Sequence, residues 1–347
     1  MESKAAGKRM RRSRRLRLLL VAVASILAAF AATPSLAMHA TGAADPWSFQ
    51  TGDNETFFSV GASIGQVAGT CSEKVLDYPR GKKFLLSDLE WDYRNVTIAG
   101  MMASAGIGGR YRVNIGYWSA LPGGSGLMVD RDWLYDNSTA ETPVPDDSNW
   151  TDESRHPDTS LDGGTMLDLN VNILALRAAP FSLRGILGFK SDSWSWSARG
   201  GTYIYSSYQF RDSVGAFEGD VQVIEYKQKY AIPYLGIGGN WSTPAFLMDV
   251  HLLMSPAIWA STTDYHNLRD MTFEGDFFGG LYVGLGLTAT YAITQRWAVT
   301  LRGEYQSISQ LTGDMTATTS YDRWVYPSAS GVGMDALMYS LGTSWRF

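Results

Sequence analysis

The chain is poor in cysteine and histidine. Its 347 residues include one cysteine, Cys71, and four histidines. A single cysteine excludes a disulfide within the chain, so the fold has to be stable without one. Two of the histidines, His156 and His266, fall in polar stretches, and they are the candidates for proton transfer.

Long apolar runs are also missing, except near the amino terminus. Residues 4–17 are rich in Lys and Arg, residues 18–32 are apolar, and small residues lead up to Ala37. This order predicts a secretory signal peptide over residues 1–37, which leaves residues 38–347 as one mature domain. An uncleaved membrane anchor is the alternative, but the apolar run is shorter than the ~20 residues that a spanning helix needs.

Basic residues are scarce in the predicted mature part. The leader holds eight Lys and Arg residues and one acidic residue, which leaves 21 basic and 33 acidic residues and a net charge of −12. This excess of negative charge argues against nucleic acid as a partner. It favours cationic peptides or proteins as substrates.

Helical periodicity is absent, and apolar residues instead alternate with polar or small ones, as in Leu167–Ile173 and Leu281–Leu287. Such alternation predicts strands with one apolar face, and an even number of them fits an outer-membrane barrel. The ten predicted strands cover residues 57–68, 86–104, 108–120, 165–177, 181–197, 224–240, 245–260, 277–293, 296–310 and 334–347.

The predicted connections differ sharply in length. Those after even-numbered strands are short, whereas those after odd-numbered strands are long and polar, the longest being residues 121–164. Short turns at one end and long extracellular loops at the other are typical of an antiparallel transmembrane β-barrel. A soluble sandwich does not sort its loops in this way. The last strand ends in an aromatic residue, Phe347, which is typical of clients of the barrel-assembly machinery.

Two pairs of residues in the long loops could activate a water molecule. Asp264 could orient the imidazole of His266, which would then take a proton from water. Asp130 and Asp132 have the spacing that places both side chains on one face of an extended segment, where one carboxylate tends to share a proton with the other. On the strand count, both loops lie at the same end of the barrel, which favours hydrolysis.

The same residues leave other readings open. One histidine and three aspartates could hold a divalent metal ion, although a second ligand histidine is missing. Ser154 near His156 could form a serine-type site, but no nucleophile-elbow motif surrounds it.

Several segments resemble the omptins, a family of outer-membrane proteases of Gram-negative bacteria, and they occur in the family's order over nearly the whole mature chain. The matching segments are Met128–Trp133, Trp150–Thr159, Ala198–Ser207, Phe210–Asp212, Tyr226–Gln228 and Asp264–His266. The resemblance implies a ten-stranded barrel that rises well above the membrane. It also implies an aspartic-type endopeptidase whose water lies between Asp130–Asp132 and Asp264–His266.

The resemblance further implies cleavage beside basic residues, with Glu73 and Asp152 lining the cleft. Thr262 stands where the family has another acidic residue, which predicts a looser demand on one side of the cut. Omptins also bind lipopolysaccharide, on which their activity depends, through a cluster on the outer wall. Lys229 matches that cluster, but the other matching positions do not, which leaves altered dependence or a different binding surface as alternatives. Those positions are Phe189, Ser191, Ser193 and, by a looser alignment, Phe278.

The sequence therefore predicts an outer-membrane endopeptidase that faces the cell exterior and needs no cofactor other than lipopolysaccharide as an activator. A barrel of the same shape that acts mainly as an adhesin or invasin is the alternative. A diffusion porin is a third possibility, but porins generally have more strands, which leave an open lumen.

Overall fold

The computed structural model describes residues 56–347 except 79–80, 124, 135–144 and 146–147. The predicted signal peptide, residues 1–37, lies outside the described residues. In the described part, no helix is long and apolar enough to cross a membrane. The strands are β1 Phe57–Asp77, β2 Phe84–Ile107, β3 Tyr111–Ala120, β4 Ser125–Asp132, β5 Asp152–Ala178, β6 Phe181–Arg199, β7 Thr202–Tyr205, β8 Ser213–Ala216, β9 Gln222–Ser242, β10 Phe246–Ser255, β11 Ile258–His266, β12 Met271–Gly279, β13 Tyr282–Ala292, β14 Trp297–Thr318 and β15 Arg323–Arg346.

Antiparallel pairing closes these strands into a barrel. Hydrogen-bonded neighbours connect β1 to β2 and onward around the sheet to β15, and β15 also pairs with β1, which closes the ring. Three positions in the ring are each occupied by two successive segments. β3 and β4 both pair with β2 and β5, β10 and β11 both pair with β9, and β12 and β13 both pair with β14. Counting each such pair once, and leaving out the hairpin of β7 and β8 that is attached to β5, gives ten positions around the ring.

The lower part of the outer wall is apolar, which is the surface that a bilayer requires. Apolar side chains alternate outward at one end of the strands and are widely exposed, as at Met101, which is 72% exposed, and Leu235, which is 66% exposed. Exposed aromatic side chains occur on the same wall, including Phe181, Trp241, Tyr291, Trp297, Tyr339, Trp345 and Phe347. Because strands β2, β5, β9 and β13 end in short turns here, this end carries the short connections that the sequence predicts.

The strands continue far beyond this apolar band, and here the predicted boundaries are wrong. β1 extends to Asp77 instead of residue 68, and the predicted loop 121–164 contains β4 and the first part of β5. In the extended part of the barrel polar side chains point outward, as at Lys227 and Glu274, so the apolar outer face disappears while the backbone pairing continues.

Inside the barrel, the level of the apolar band holds polar and charged side chains. We call this region the lower lumen; it contains a cavity of about 260 Å³ lined by residues such as Asn114, Asp168, Arg184 and Asp249. Above it, Lys190 of β6 meets Glu304 of β14 at 3.0 Å, although these strands are not paired neighbours, so this ion pair crosses the lumen.

An aromatic layer fills the barrel above the ion pair. Trp91 stacks on Tyr226 with ring centroids 5.2 Å apart, and Tyr93 stacks on Trp194 at 5.5 Å. All members are almost completely buried, so this layer separates the lower lumen from the upper end of the barrel. The aromatic layer consists of Trp91, Tyr93, Trp194, Trp196, Tyr226 and Tyr230.

Candidate active site

Asp130 and Asp132 lie on a strand, not in the loop where the sequence analysis places them. β4 is paired with β2 on one side and β5 on the other, with Asp132 opposite Ser87 and Asp152. The hydroxyl of Ser87 donates a hydrogen bond of 2.9 Å to Oδ1 of Asp130. Alternation along β4 puts both carboxylates on one face, and pairing on two sides fixes their backbone.

Asp264 and His266 also lie on a strand, at the upper end of β11 between β9 and β12. The Oδ2 atom of Asp264 is 2.7 Å from Nε2 of His266, and the imidazole packs edge-on against Phe273 with ring centroids 5.1 Å apart. Because a carboxylate only accepts, Nε2 carries the proton in this contact and Nδ1 is left as the basic nitrogen. Asp264 is 3% exposed, so its carboxylate is shielded from solvent.

The two pairs act on each other electrostatically. Burial and then the charge of Asp132 raise the pKa of Asp130 well above its usual range, and the charge of Asp264 adds to the shift. Burial raises the pKa of Asp132 to about 6, with a smaller contribution from the charge of Asp152, whereas His266 acts in the opposite direction. The residues that the sequence predicts as two separate pairs therefore belong to one cluster of charges.

Glu73 and Asp152 belong to the same cluster, which we call the acidic cleft: Glu73, Asp130, Asp132, Asp152 and Asp264. Burial raises the pKa of Glu73, and the charges of Asp264 and Asp130 raise it further. Three side-chain oxygens of the cleft are buried without a hydrogen-bond donor from the described residues: Glu73 Oε2, Asp152 Oδ2 and Asp264 Oδ1. A buried acceptor without a donor is costly, so these oxygens are suited to a ligand that donates hydrogen bonds. Thr262 is buried, two residues before Asp264 on the same face of β11.

Two residues at the site were missed by sequence reasoning. Ser87, which donates to Asp130, lies within the alternating pattern of β2 and looks like any other small polar residue. Arg269 follows β11 in a turn in which its N–H donates to the carbonyl of His266 at 3.1 Å. Its charge lowers the pKa of both Asp130 and Asp132. The only sequence feature that could have indicated Arg269 is its position three residues after His266.

Ser154 and His156 lie beside the cleft, below its surface. The Oγ atom of Ser154 is 3.0 Å from Nε2 of His156, and Nδ1 of His156 donates to the carbonyl of Gly200 at 2.6 Å. Burial lowers the pKa of His156, so the ring is neutral and its Nε2 atom accepts a hydrogen bond from the hydroxyl of Ser154. His156 is 0% exposed and Ser154 is 5% exposed, so the pair is arranged as a structural contact that a substrate carbonyl does not reach. Among the residues that the structure describes, no group of three or more His, Cys, Asp or Glu side chains is arranged to hold a metal ion.

Lys229 is separate from the cleft. Its side chain is exposed on the outer wall, where it lies opposite Ser193 of β6 and Ser261 of β11. Ser191 lies one step lower in the β6–β9 ladder. Two exposed aromatic side chains flank this surface, Phe189 and Phe278, the latter packed against Trp259 with ring centroids 5.1 Å apart.

Comparisons with known proteins agree with this architecture. The omptin family model matches residues 54–347. The outer membrane protease OmpP of Escherichia coli strain K12 is 33% identical over 75% of this chain and 79% of its own length. The plasminogen activator of Yersinia pestis is 29% identical over 84% of this chain and 89% of its own length.

The crystal structure of the outer membrane protease OmpT from Escherichia coli gives a TM-score of 0.77 at 26% identity, and the match covers 86% of this chain and all of that one. The barrel and its long extension therefore have a known counterpart. With the family model spanning most of its length, this chain belongs to the omptin family of outer membrane proteases.

Proposed function

We propose that this protein is an aspartic-type endopeptidase that cleaves beside basic residues with a water molecule held between Asp130–Asp132 and Asp264–His266. The observation that carries the proposal is the contact of 2.7 Å between Asp264 and His266, in electrostatic range of a second carboxylate pair with raised pKa values. Perturbed acids that share one cleft are typical of catalytic sites.

The proposed reaction follows from the protonation states. His266 takes a proton from water at Nδ1, the water oxygen forms a bond to the scissile carbonyl carbon, and the π electrons of the carbonyl move to its oxygen. Asp264 accepts a hydrogen bond from the Nε2–H group of His266. This bond keeps the imidazole in one tautomer and stabilises the positive charge that the ring gains with the proton. Burial raises the pKa of both Asp130 and Asp132, and the charge of Asp132 raises that of Asp130 further, so the Asp pair holds one shared proton. The carbonyl double bond then re-forms as the C–N bond breaks, and the leaving amine takes the proton held by the Asp pair.

Specificity for basic residues rests on the unpartnered acceptors. Glu73 Oε2 and Asp152 Oδ2 are buried and lack a donor from the described residues, so an Arg or Lys side chain would supply hydrogen bonds and charge together. Thr262 offers a hydroxyl where the resemblance implies a carboxylate, which predicts a retained preference for Arg or Lys on at least one side of the scissile bond and a looser demand on the other.

The direction in which the cleft opens and the contact with lipopolysaccharide are proposed from the two ends and the outer wall of the barrel. The cleft lies at the end of the strands opposite the short turns, so we propose that it opens to the cell exterior. Lipopolysaccharide is the proposed activator, and Lys229 on the outer wall is its candidate contact. Phe189, Ser191 and Ser193 stand where the resemblance implies other members of the lipopolysaccharide-binding cluster, so activity with and without lipopolysaccharide tests whether it is required.

Refolded protein incubated with a library of internally quenched peptides tests the proposal. We expect cleavage beside Arg or Lys, without added metal and with no loss of rate in a chelator. Absence of cleavage with and without lipopolysaccharide would favour the adhesin reading. Loss of activity in a chelator, with recovery in zinc, would assign the same residues to a metal site.

A further inference from the structure

The loop after β7, residues 206–212, is not part of the proposed chemistry, yet it contacts the cleft through backbone and side chain. The N–H of Ser206 donates to Oδ1 of Asp152 at 3.1 Å, and the hydroxyl of Ser206 donates to the carbonyl of Thr151 at 2.7 Å. Asp152 is a proposed substrate contact, and its other oxygen, Oδ2, is the unpartnered one. Ser206 therefore fixes the rotation of this carboxylate.

The same contacts lead to Asp132. The N–H of Thr151 donates to the carbonyl of Asp132 at 2.7 Å, and its hydroxyl donates to the same oxygen at 3.1 Å. Thr151 thus links the backbone of one proposed catalytic residue to the loop through Ser206. A shift of this loop changes the positions of Asp132 and Asp152 together.

Arg211 holds the loop in place. Its N–H donates to the hydroxyl of Ser206 at 2.9 Å, and its guanidinium donates to the carbonyl of Trp150 from Nε at 3.0 Å and from Nη2 at 2.6 Å. A third bond of 3.1 Å joins Nη2 to the carbonyl of Ser148. The guanidinium also lies over the indole ring of Trp150, with Cζ 3.3 Å from the ring centroid. Only a planar, forked cation can stack on a ring and reach two carbonyls at once.

Asp212 completes the loop. Its carboxylate accepts the N–H groups of Ser207, Tyr208 and Gln209 at 2.8, 3.1 and 2.9 Å. These bonds, led by that from Ser207, lower the pKa of Asp212. Arg211 itself has a φ of +58°, a conformation that costs energy for a residue with a side chain and persists only where the surroundings fix it.

We propose that Arg211 is a positioning residue of this protease: through Ser206 and Thr151 it sets the carboxylate of Asp152 and the backbone of Asp132, and with them the selectivity for basic substrates. This inference rests on the proposed function, because it assigns Asp152 to the basic side chain and Asp132 to the reaction. Arg211 touches neither, so its effect is indirect.

The test compares Arg211→Ala and Arg211→Lys with Arg323→Ala. Arg323 is exposed at the start of β15, opposite Thr318 at the same end of the barrel, so its removal deletes an equal charge without touching these contacts. Two quenched peptides that differ only in Arg or Gln at the scissile bond give kcat and KM for each variant. A heat-dependent gel shift verifies that each barrel is folded.

We expect Arg211→Ala to lower kcat/KM for the Arg peptide by about 10- to 100-fold, because small misplacements of a positioned group have effects of this size. The Gln peptide should lose less, so the ratio between the peptides should fall. Arg211→Lys should not restore that ratio, and Arg323→Ala should match the unmodified protein. An equal loss for both peptides, or none, would overturn the proposal, since a purely structural role does not change selectivity.

Hydrogen exchange separates this proposal from the proposed function. Amide protons of Thr151 and Ser206 should exchange faster in Arg211→Ala than in Arg323→Ala. If they do so in a protein that cleaves no peptide, the positioning contacts stand and the proposed function fails. If exchange is unchanged while the unmodified protein cleaves basic peptides, the positioning role of Arg211 is wrong and the proposed function stands.

Discussion

The lower lumen and the acidic cleft differ in how their buried charged side chains are paired. In and just above the lower lumen, Lys190 pairs with Glu304 at 3.0 Å, and Arg184 pairs with Asp249 at 2.6 Å. In the cleft, buried oxygens of Glu73, Asp152 and Asp264 lack a donor from the described residues. The lower lumen thus combines cations with carboxylates in ion pairs, whereas the acidic cleft brings five carboxylates together above it.

The difference separates stability from function. A buried ion pair contributes little net free energy, but losing one partner is costly because the other charge remains buried. An unpaired carboxylate raises the energy of the empty cleft, and a cationic substrate or a proton relieves it. Substitutions in the lower lumen should therefore change stability and leave the reaction intact, whereas substitutions in the cleft should do the reverse.

The largest effect is expected for Asp132→Asn and His266→Ala. Each should lower kcat by at least ~10²-fold, because each removes a participant in proton transfer. At pH 4, where the Asp132 carboxyl is largely neutral, the free energy of unfolding should change little, since the barrel below is intact. Steady-state kinetics on one basic quenched peptide measure the first quantity, and urea unfolding in detergent measures the second. Unchanged kcat in both variants would remove the basis of the mechanism.

Glu304→Gln should show the opposite behaviour. It leaves the charges of Lys190 and Arg302 without their shared carboxylate, which should cost about 3–5 kcal/mol of unfolding free energy. The kcat of the folded fraction should equal that of the unmodified protein. Glu90→Gln, at an exposed position on β2, is the matched control and should alter neither. A large loss of kcat in folded Glu304→Gln would mean that the two regions are coupled.

Asp152→Asn should have a smaller effect, confined to selectivity. The loss of a charge-assisted hydrogen bond should lower kcat/KM for an Arg peptide by about 10- to 100-fold, with less change for the matched Gln peptide. Raising the salt concentration should slow the Arg peptide in the unmodified protein, because exposed parts of the acidic field are screened. Equal rates for both peptides in the unmodified protein would contradict the assignment of the cleft.

The smallest expected effect is on the pH dependence of stability. The pKa of Asp132 is raised to about 6 in the folded protein, so the folded state binds this proton more tightly than the unfolded chain does. Its contribution to stability is complete below about pH 4 and is lost as the pH rises through about 6. Asp132→Asn should flatten this part of the curve. Urea unfolding at pH 4 and pH 7 measures it, and an equal slope in both proteins would argue against a raised pKa.

The sequence predicts the barrel better than the site. Apolar alternation, as in Leu167–Ile173, predicts the strands inside the membrane because lipid demands one apolar face. Higher up, apolar and polar residues share one face, as Met128 does with Asp130 on β4 and Cys71 does with Glu73 on β1, so these segments leave no such pattern and look like loops. Asp130, Asp132, Asp264 and His266 are predicted from their spacing and from the resemblance, and the fold places them in one cleft. Ser87 and Arg211 contact residues that are distant in the sequence, and the charge of Arg269 acts on Asp130 and Asp132 of another strand, so no local pattern encodes these residues.

The central claim is that the nucleophile is a water molecule, and identifying the nucleophile tests it most directly. Rapidly quenched single-turnover mixtures of the folded protein with an Arg peptide, measured by intact-protein mass spectrometry, reveal any covalent intermediate. Water held between Asp130–Asp132 and Asp264–His266 predicts an unmodified protein mass at every time point, with one atom of ¹⁸O in the new carboxylate when the solvent is H₂¹⁸O. An acyl adduct on Ser154 that forms and decays at the rate of turnover would contradict it.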